Sequence, residues 1–378
     1  MKRPNILFIT TDQQRWDCVH ANGNAAIRTP GLDRLAAGGV NFSGSFCAGA
    51  ACMPSRASIM TGVYPDEHGV WDTSSRNWLS PDMPTLPGVL SANGYETVSV
   101  GKMHFKPWDA RCGFERRVII ESKYCPEPDE YRRYVAERGL ASQVIGHHVP
   151  GFGKANKAMP SPLSEDDHID GFIGRRGVET LRELTSDSRP FFLWLSFCGP
   201  HEPNDPPMPY ASMYNPADMP LPRRRPCEID RLPPVVRRDA TSFGKERMNL
   251  WGIPDTEIQR IRALYYGNVT LIDTWVGRIL DTLRQTGMEE NTLVAFTADH
   301  ADYLGDHDLL WKGGLRMLSA LKEDDASWQR FTAEYGAGVE LLERRNIDDI
   351  DSEDAPHFET TLNNDAYQGL PNDAHFRD

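Results

Sequence analysis

An α/β fold built on a mostly parallel sheet is what this 378-residue sequence predicts, and three observations carry it. Four short, continuous apolar runs (5–11, 95–100, 191–197 and 292–297) have the pattern of strands buried on both faces. Helix-patterned segments lie between them, as crossovers joining parallel strands require. Each run also ends in polar residues: Asp12-Gln13, Lys102 with His104, His201, and Asp299-His300. One parallel sheet would gather these at a single rim, beyond the strand carboxyl ends, where open α/β sheets bind ligands.

The first run, Asn5 to Thr11, leads into Asp12, and a helix is expected over Thr29–Ala36, stopped by Gly38-Gly39. Next comes Cys52-Met53-Pro54-Ser55-Arg56-Ala57, running to Thr61-Gly62. Pro54 suits the first helical position and Gly62 the stop, so Cys52 should sit just before a helix N-terminus, where unpaired N–H groups favour negative charge. Arg56 adds a cation. Local physics fits either a reactive thiol or a small buried apolar side chain.

A helix over Leu86–Asn93 precedes the second strand, Tyr95–Val100. Beyond it, Lys102 and His104 would point to one side if the backbone stays extended. A solvated lysine and a surface histidine fit that spacing equally. Residues 106–170 are poorly patterned, apart from a short helix near Glu130–Arg138. A helix over Gly174–Leu184 leads to the third strand and then to His201. From Pro200 to Pro234 eleven of 35 residues are proline, which predicts an extended loop. Residues 256–286 carry apolar side chains at three- and four-residue spacing, a long helix. After the fourth strand, Asp299 and His300 offer oxygen and nitrogen ligands for a divalent metal, and Lys312 adds a cation.

Cys-x-Pro-Ser-Arg-Ala followed by Thr-Gly resembles the signature of type I sulfatases. Three further stretches resemble the same family in the same order: Gly101-Lys102-x-His104, Pro200-His201-x-Pro203, and Asp299-His300-Ala301 through Gly305-Asp306-His307 to Lys312. Ala301 stands where glycine is usual. The resemblance spans residues 4–314 and implies an alkaline-phosphatase-like sheet sandwiched by helices. It implies oxidation of Cys52 to formylglycine by a formylglycine-generating enzyme, and a metal held by Asp12, Cys52, Asp299 and His300. Arg56, Lys102, His104, His201 and Lys312 would then be catalytic, with Gln13, Lys102, His201 and Lys312 contacting substrate. Asp12-Gln13, where many members carry Asp-Asp, is similar to the choline-sulfatase and phosphonate monoester hydrolase branches. With one carboxylate fewer, Ca²⁺ is the expected ion and Mn²⁺ the alternative.

A formal net charge of −13 without a basic run argues against nucleic-acid binding. The apolar run near the N-terminus is too short for a signal-peptide core, and no stretch reaches membrane-spanning length. Seven cysteines without metal-finger spacing suit reduced thiols, hence a cytoplasmic expectation. Beyond 314 the likeness stops. Residues 315–378, with fifteen acidic and six basic side chains, read as an acidic tail, helical over 315–342, in place of the family's C-terminal subdomain. Two functions follow from different classes. One is hydrolysis of small sulfate esters through a covalent sulfo-enzyme, with phosphonate monoesters or phosphodiesters as close alternative substrates. The other is a truncated, inactive homologue. Homo-oligomers are expected from an uncovered sheet edge.

Overall fold

The computed structural model describes residues 3–71, 73, 78–121, 128–186, 188–225 and 253–312. Two units divide the chain. The first is Met1–Arg224 with Leu250–Lys312; apart from Arg225, the second, Arg225–Asn249 with Gly313–Asp378, lies outside the described residues. The helix expected over 315–342 falls there.

Among the described residues the sheet has five strands: β1 (Asn5–Asp12), β2 (Glu96–Gly101), β3 (Arg116–Ile119), β4 (Phe191–Pro200) and β5 (Thr292–Ala298). They lie in the order β3-β2-β4-β1-β5, with every pairing parallel. All ten residues of β4 are buried, because helices cover both sheet faces. Leu193 and Leu195 share a core with α6 (Ile169–Leu184) and α7 (Asp255–Gln285). Phe192 and Trp194 face the other way, against Met53, Ala57 and Met60 of α2 (Cys52–Thr61). The remaining helices are α1 (Pro30–Gly38), the single turn α3 (Pro65–His68), α4 (Leu86–Ala92) and α5 (Glu130–Glu137).

The long helix α7 ties distant loops together. Asp273 accepts the Gly31 and Leu32 N–H groups at 3.0 and 2.7 Å and so completes the α1 N-terminus. The Tyr265 hydroxyl donates to the Gln13 carbonyl at 2.6 Å and accepts the Arg15 N–H at 3.1 Å. Arg262 donates to the Leu304 carbonyl and to Asp306, and Asn268 to the Pro203 carbonyl.

The four expected strands and the mostly parallel sheet are present. Three expectations need correction. Strand β3 arises in the stretch left unpatterned: four residues with an exposed Arg116 are too short to show a period. Helix α2 begins at Cys52, so Pro54 occupies its third position, where its missing N–H still has no intrahelical partner to lose. Residues 102–105 are not extended: β2 stops at Gly101 and His104 has φ 59°. A Cβ on Gly101, whose φ is 106°, would run into the Ser196 carbonyl. Ala301 is not among the left-handed residues, so its methyl meets no backbone penalty there.

Candidate active site

Asp12, Cys52, Asp299 and His300 arrive at one point from β1, the first residue of α2, and the residues following β5. A register shift between Thr10 and Asp12 turns the end of β1. One ligand atom from each residue lies within 4.8 Å of the others, and all four residues are buried. The Cys52 Sγ is 3.6 Å from Asp12 Oδ1 and 3.3 Å from His300 Nε2. With His300 Nδ1 at 3.1 Å from the Ala301 carbonyl, a proton there leaves the Nε2 lone pair facing the cluster. Two carboxylates, an imidazole and residue 52 form a donor set that fits a divalent cation, one that accepts oxygen and nitrogen.

Cations surround the cluster. Arg56, fully buried, donates from Nε to Asp299 Oδ2 at 2.7 Å, and from its NH1 amino group to the Lys102 carbonyl at 2.6 Å and Ser196 Oγ at 2.9 Å. Its other amino group lies 3.5 Å from Asp12. Nε and one amino group are thus spent on a carboxylate and its supports, while the second amino group faces Asp12 without a hydrogen bond. Lys102, for which the local pattern left a solvated lysine open, is 2% exposed and donates to Asp12 Oδ2. Asp299 Oδ1 accepts the N–H groups of Gln13 and His300 at 3.0 and 2.8 Å.

These charges set the protonation states. Burial and the Cys52 thiolate push Asp12 upward, but Lys102, His201 and Lys312 hold it below the usual carboxylate range. Burial likewise opposes ionisation of Cys52. Lys102, Lys312 and hydrogen bonds from His104 and His201 outweigh it and bring the thiol well below its ordinary value. Burial lowers His300, yet Asp299 and Cys52 raise it to about 9 without a cation. Burial and neighbouring Lys102 depress His104.

Every site residue named from the sequence falls at this rim. His201 donates its N–H to the Asp12 carbonyl at 3.0 Å, with Nδ1 2.8 Å from the Glu202 carbonyl. Gln13, left-handed with φ 66°, accepts from Lys312 Nζ at 2.6 Å through Oε1 and donates from Nε2 to Asp302 and Glu202. Sequence reasoning missed Asp302, Glu202, Ser196, Tyr265 and Glu121. Asp302 lies inside the motif around Asp299 and was open to notice; Glu121 follows the unseen strand β3. Asp306, from the same motif, faces away and pairs with Arg15 at 2.9 Å and Arg262 at 2.6 Å.

A family model described as Sulfatase matches residues 4–333, past the boundary at 314 that the motifs suggested. The chain belongs to the sulfatase family. It is 33% identical over 331 residues to an arylsulfatase of Clostridium perfringens, covering 82% of this chain and 66% of that one. It is 29% identical over 314 residues to a choline-sulfatase of Rhizobium meliloti, covering 82% and 60%. The crystal structure of a phosphonate monoester hydrolase of Agrobacterium radiobacter superposes with a TM-score of 0.69 at 28% identity, covering 82% of this chain and 65% of that one. The chain thus spans less than two thirds of each relative's length. The relationship to the choline-sulfatase and phosphonate monoester hydrolase branches agrees with the Asp12-Gln13 reading. No helix among the described residues is long and apolar enough to cross a membrane.

Proposed function

We propose that this sulfatase-family chain hydrolyses sulfate monoesters of small molecules, with Cys52 converted to formylglycine by a formylglycine-generating enzyme. The observation that carries the reading is the convergence of Asp12, Asp299, His300 and Cys52 at the first turn of α2. A divalent cation held by these four residues, Ca²⁺ by preference for hard oxygen donors and otherwise Mn²⁺, would screen the ester's charge and favour ionisation of a hydroxyl on residue 52.

The chain's own groups account for the rest. Formylglycine at residue 52 would supply, as its hydrate, an already ionised hydroxyl as nucleophile and a second hydroxyl through which the aldehyde is regenerated and sulfate released. His201 or Lys312 would give the departing alcohol oxygen its proton, and His104 would take the proton of the second hydroxyl. Lys102 and Lys312 stabilise charge on the sulfuryl oxygens. Gln13 orients Lys312, and Arg56 holds the carboxylates. Free buried thiols at Cys18 and Cys198 support a reducing, cytoplasmic setting.

The test pairs the mass of the Cys52 peptide, lowered by a fixed amount on conversion, with turnover of an aryl sulfate and an aryl phosphonate monoester. Conversion with sulfate release is the expected result. An unmodified Cys52 with no turnover on either ester would leave the inactive-homologue reading. Preference for the phosphonate would favour the second reading, which the superposition on a phosphonate monoester hydrolase supports.

A further inference from the structure

Outside the motifs, one buried carboxylate lies directly beneath the site. The chain leaves β2 after Gly101 and turns through the left-handed His104. A side chain other than glycine stays in that region only where its surroundings hold it. Glu121, 3% exposed, takes both following amides: Oε1 accepts the Met103 N–H at 3.1 Å and Oε2 the His104 N–H at 2.8 Å.

The clamp is itself anchored. Asp129 Oδ2 accepts the Glu121 N–H at 2.8 Å, while Asp129 Oδ1 caps α5 through the Arg132 N–H at 2.9 Å. An Arg117 amino group stands 3.2 Å from Glu121 Oε1, and another donates to the Ala110 carbonyl at 2.6 Å. The third amide of the turn, on Lys102, donates to the Ser196 carbonyl at 3.0 Å. Backbone donors 102 to 104 are therefore all engaged on the protein side. Lys102 Nζ reaches Asp12, and the His104 side chain hydrogen-bonds Cys52.

We propose that Glu121 is a positioning residue for the reaction: its carboxylate fixes the Lys102–His104 turn so that the His104 ring meets residue 52. The proposal deepens the hydrolase reading above and rests on it. A two-oxygen acceptor is what the turn requires. In Glu121→Gln the amide keeps one acceptor and sets an NH₂ against the second N–H, leaving that backbone donor unpaired.

Hydrogen exchange on protein labelled with ¹⁵N-methionine and ¹⁵N-histidine needs no turnover. The Met103 and His104 amides should exchange slowly in the wild type, and in Glu121→Gln they should lose protection while the amide of Met60, buried inside α2, keeps its own. Free-peptide exchange rates in the wild type overturn the clamp even if the variant fails to fold. With an active enzyme, Glu121→Gln should lower kcat about tenfold or more at nearly unchanged KM, and should cost little further in a His104→Ala background, because both changes remove one function. Fully additive losses overturn the positioning role. If no ester is hydrolysed, the hydrolase reading fails, while the exchange experiment still decides whether Glu121 holds the turn.

Discussion

Arg56→Met keeps an unbranched side chain of similar length but removes the guanidinium between two carboxylates. Arg56, Asp12 and Asp299 are all fully buried, so water cannot replace the lost partner. Three hydrogen bonds go with it: to Asp299 Oδ2, to the Lys102 carbonyl and to Ser196 Oγ. Removing one partner from a buried ionic cluster typically costs about 3–5 kcal/mol, because the remaining charge stays desolvated. In chelator, Asp12 retains Lys102 whereas Asp299 retains only backbone donors and the neighbouring His300, so the full cost should appear there. A divalent cation would return a counter-charge to both carboxylates and reduce the loss. Urea unfolding of wild type and variant, in EDTA and in millimolar Ca²⁺ or Mn²⁺, reads both quantities. A loss in EDTA under about 1 kcal/mol would place Arg56 among ordinary surface ion pairs and refute the reasoning. A loss equal with and without cation would refute the shared-cluster part.

Three further outcomes are expected. Alanine at Asp12, Asp299 or His300 should remove the thermal stabilisation that Ca²⁺ or Mn²⁺ gives, which for the wild type is about 2.7 kcal/mol at a hundredfold excess over Kd; unchanged metal stoichiometry in all three variants would mean the site is elsewhere. Lys102→Ala should lose both stability and turnover because its ammonium is buried on Asp12, whereas Lys312→Ala should lose ~10²–10³ in kcat with a small change in melting temperature; parallel behaviour of the two lysines would contradict their different burial. Asp273 gives a pH signature. Burial raises it from 3.8 to about 6 against the Gly31 and Leu32 N–H bonds, so its ionisation opposes folding as pH rises through that value. The stability advantage of wild type over Asp273→Asn should therefore grow by about 1 kcal/mol between pH 7 and pH 5, and a gap independent of pH would contradict the raised carboxyl.

The parts of the site that could be read from sequence were those attached to strong patterns. Short but continuous apolar runs located β1, β2, β4 and β5, and the polar residues at their ends were the residues that meet. Arg56 shows where such reading stops. A cation in the first turn of a helix gives no sign whether its fork faces substrate or carboxylate, because burial decides that and burial depends on partners far along the chain. Lys102 was open to the same error. Glu121 was invisible for a different reason: the strand before it is four residues long, and its partners at the turn are backbone amides, which leave no mark in a sequence. The left-handed Gln13 and His104 were also hidden, since each is held by a side chain more than ten residues away.

Because α7 grips Gln13 and Arg15, the Pro203 carbonyl, the loop at Leu304–Asp306 and the start of α1, it acts as a common spar for segments drawn from across the chain. Sliding that helix by one turn would unseat several loops together, while remodelling a single loop would disturb one attachment. Variation in what the site accepts is therefore cheapest in the loops, where length and side chains can change independently. The helix itself has the least freedom to drift, although none of its residues belongs to the Asp12–Cys52–Asp299–His300 cluster.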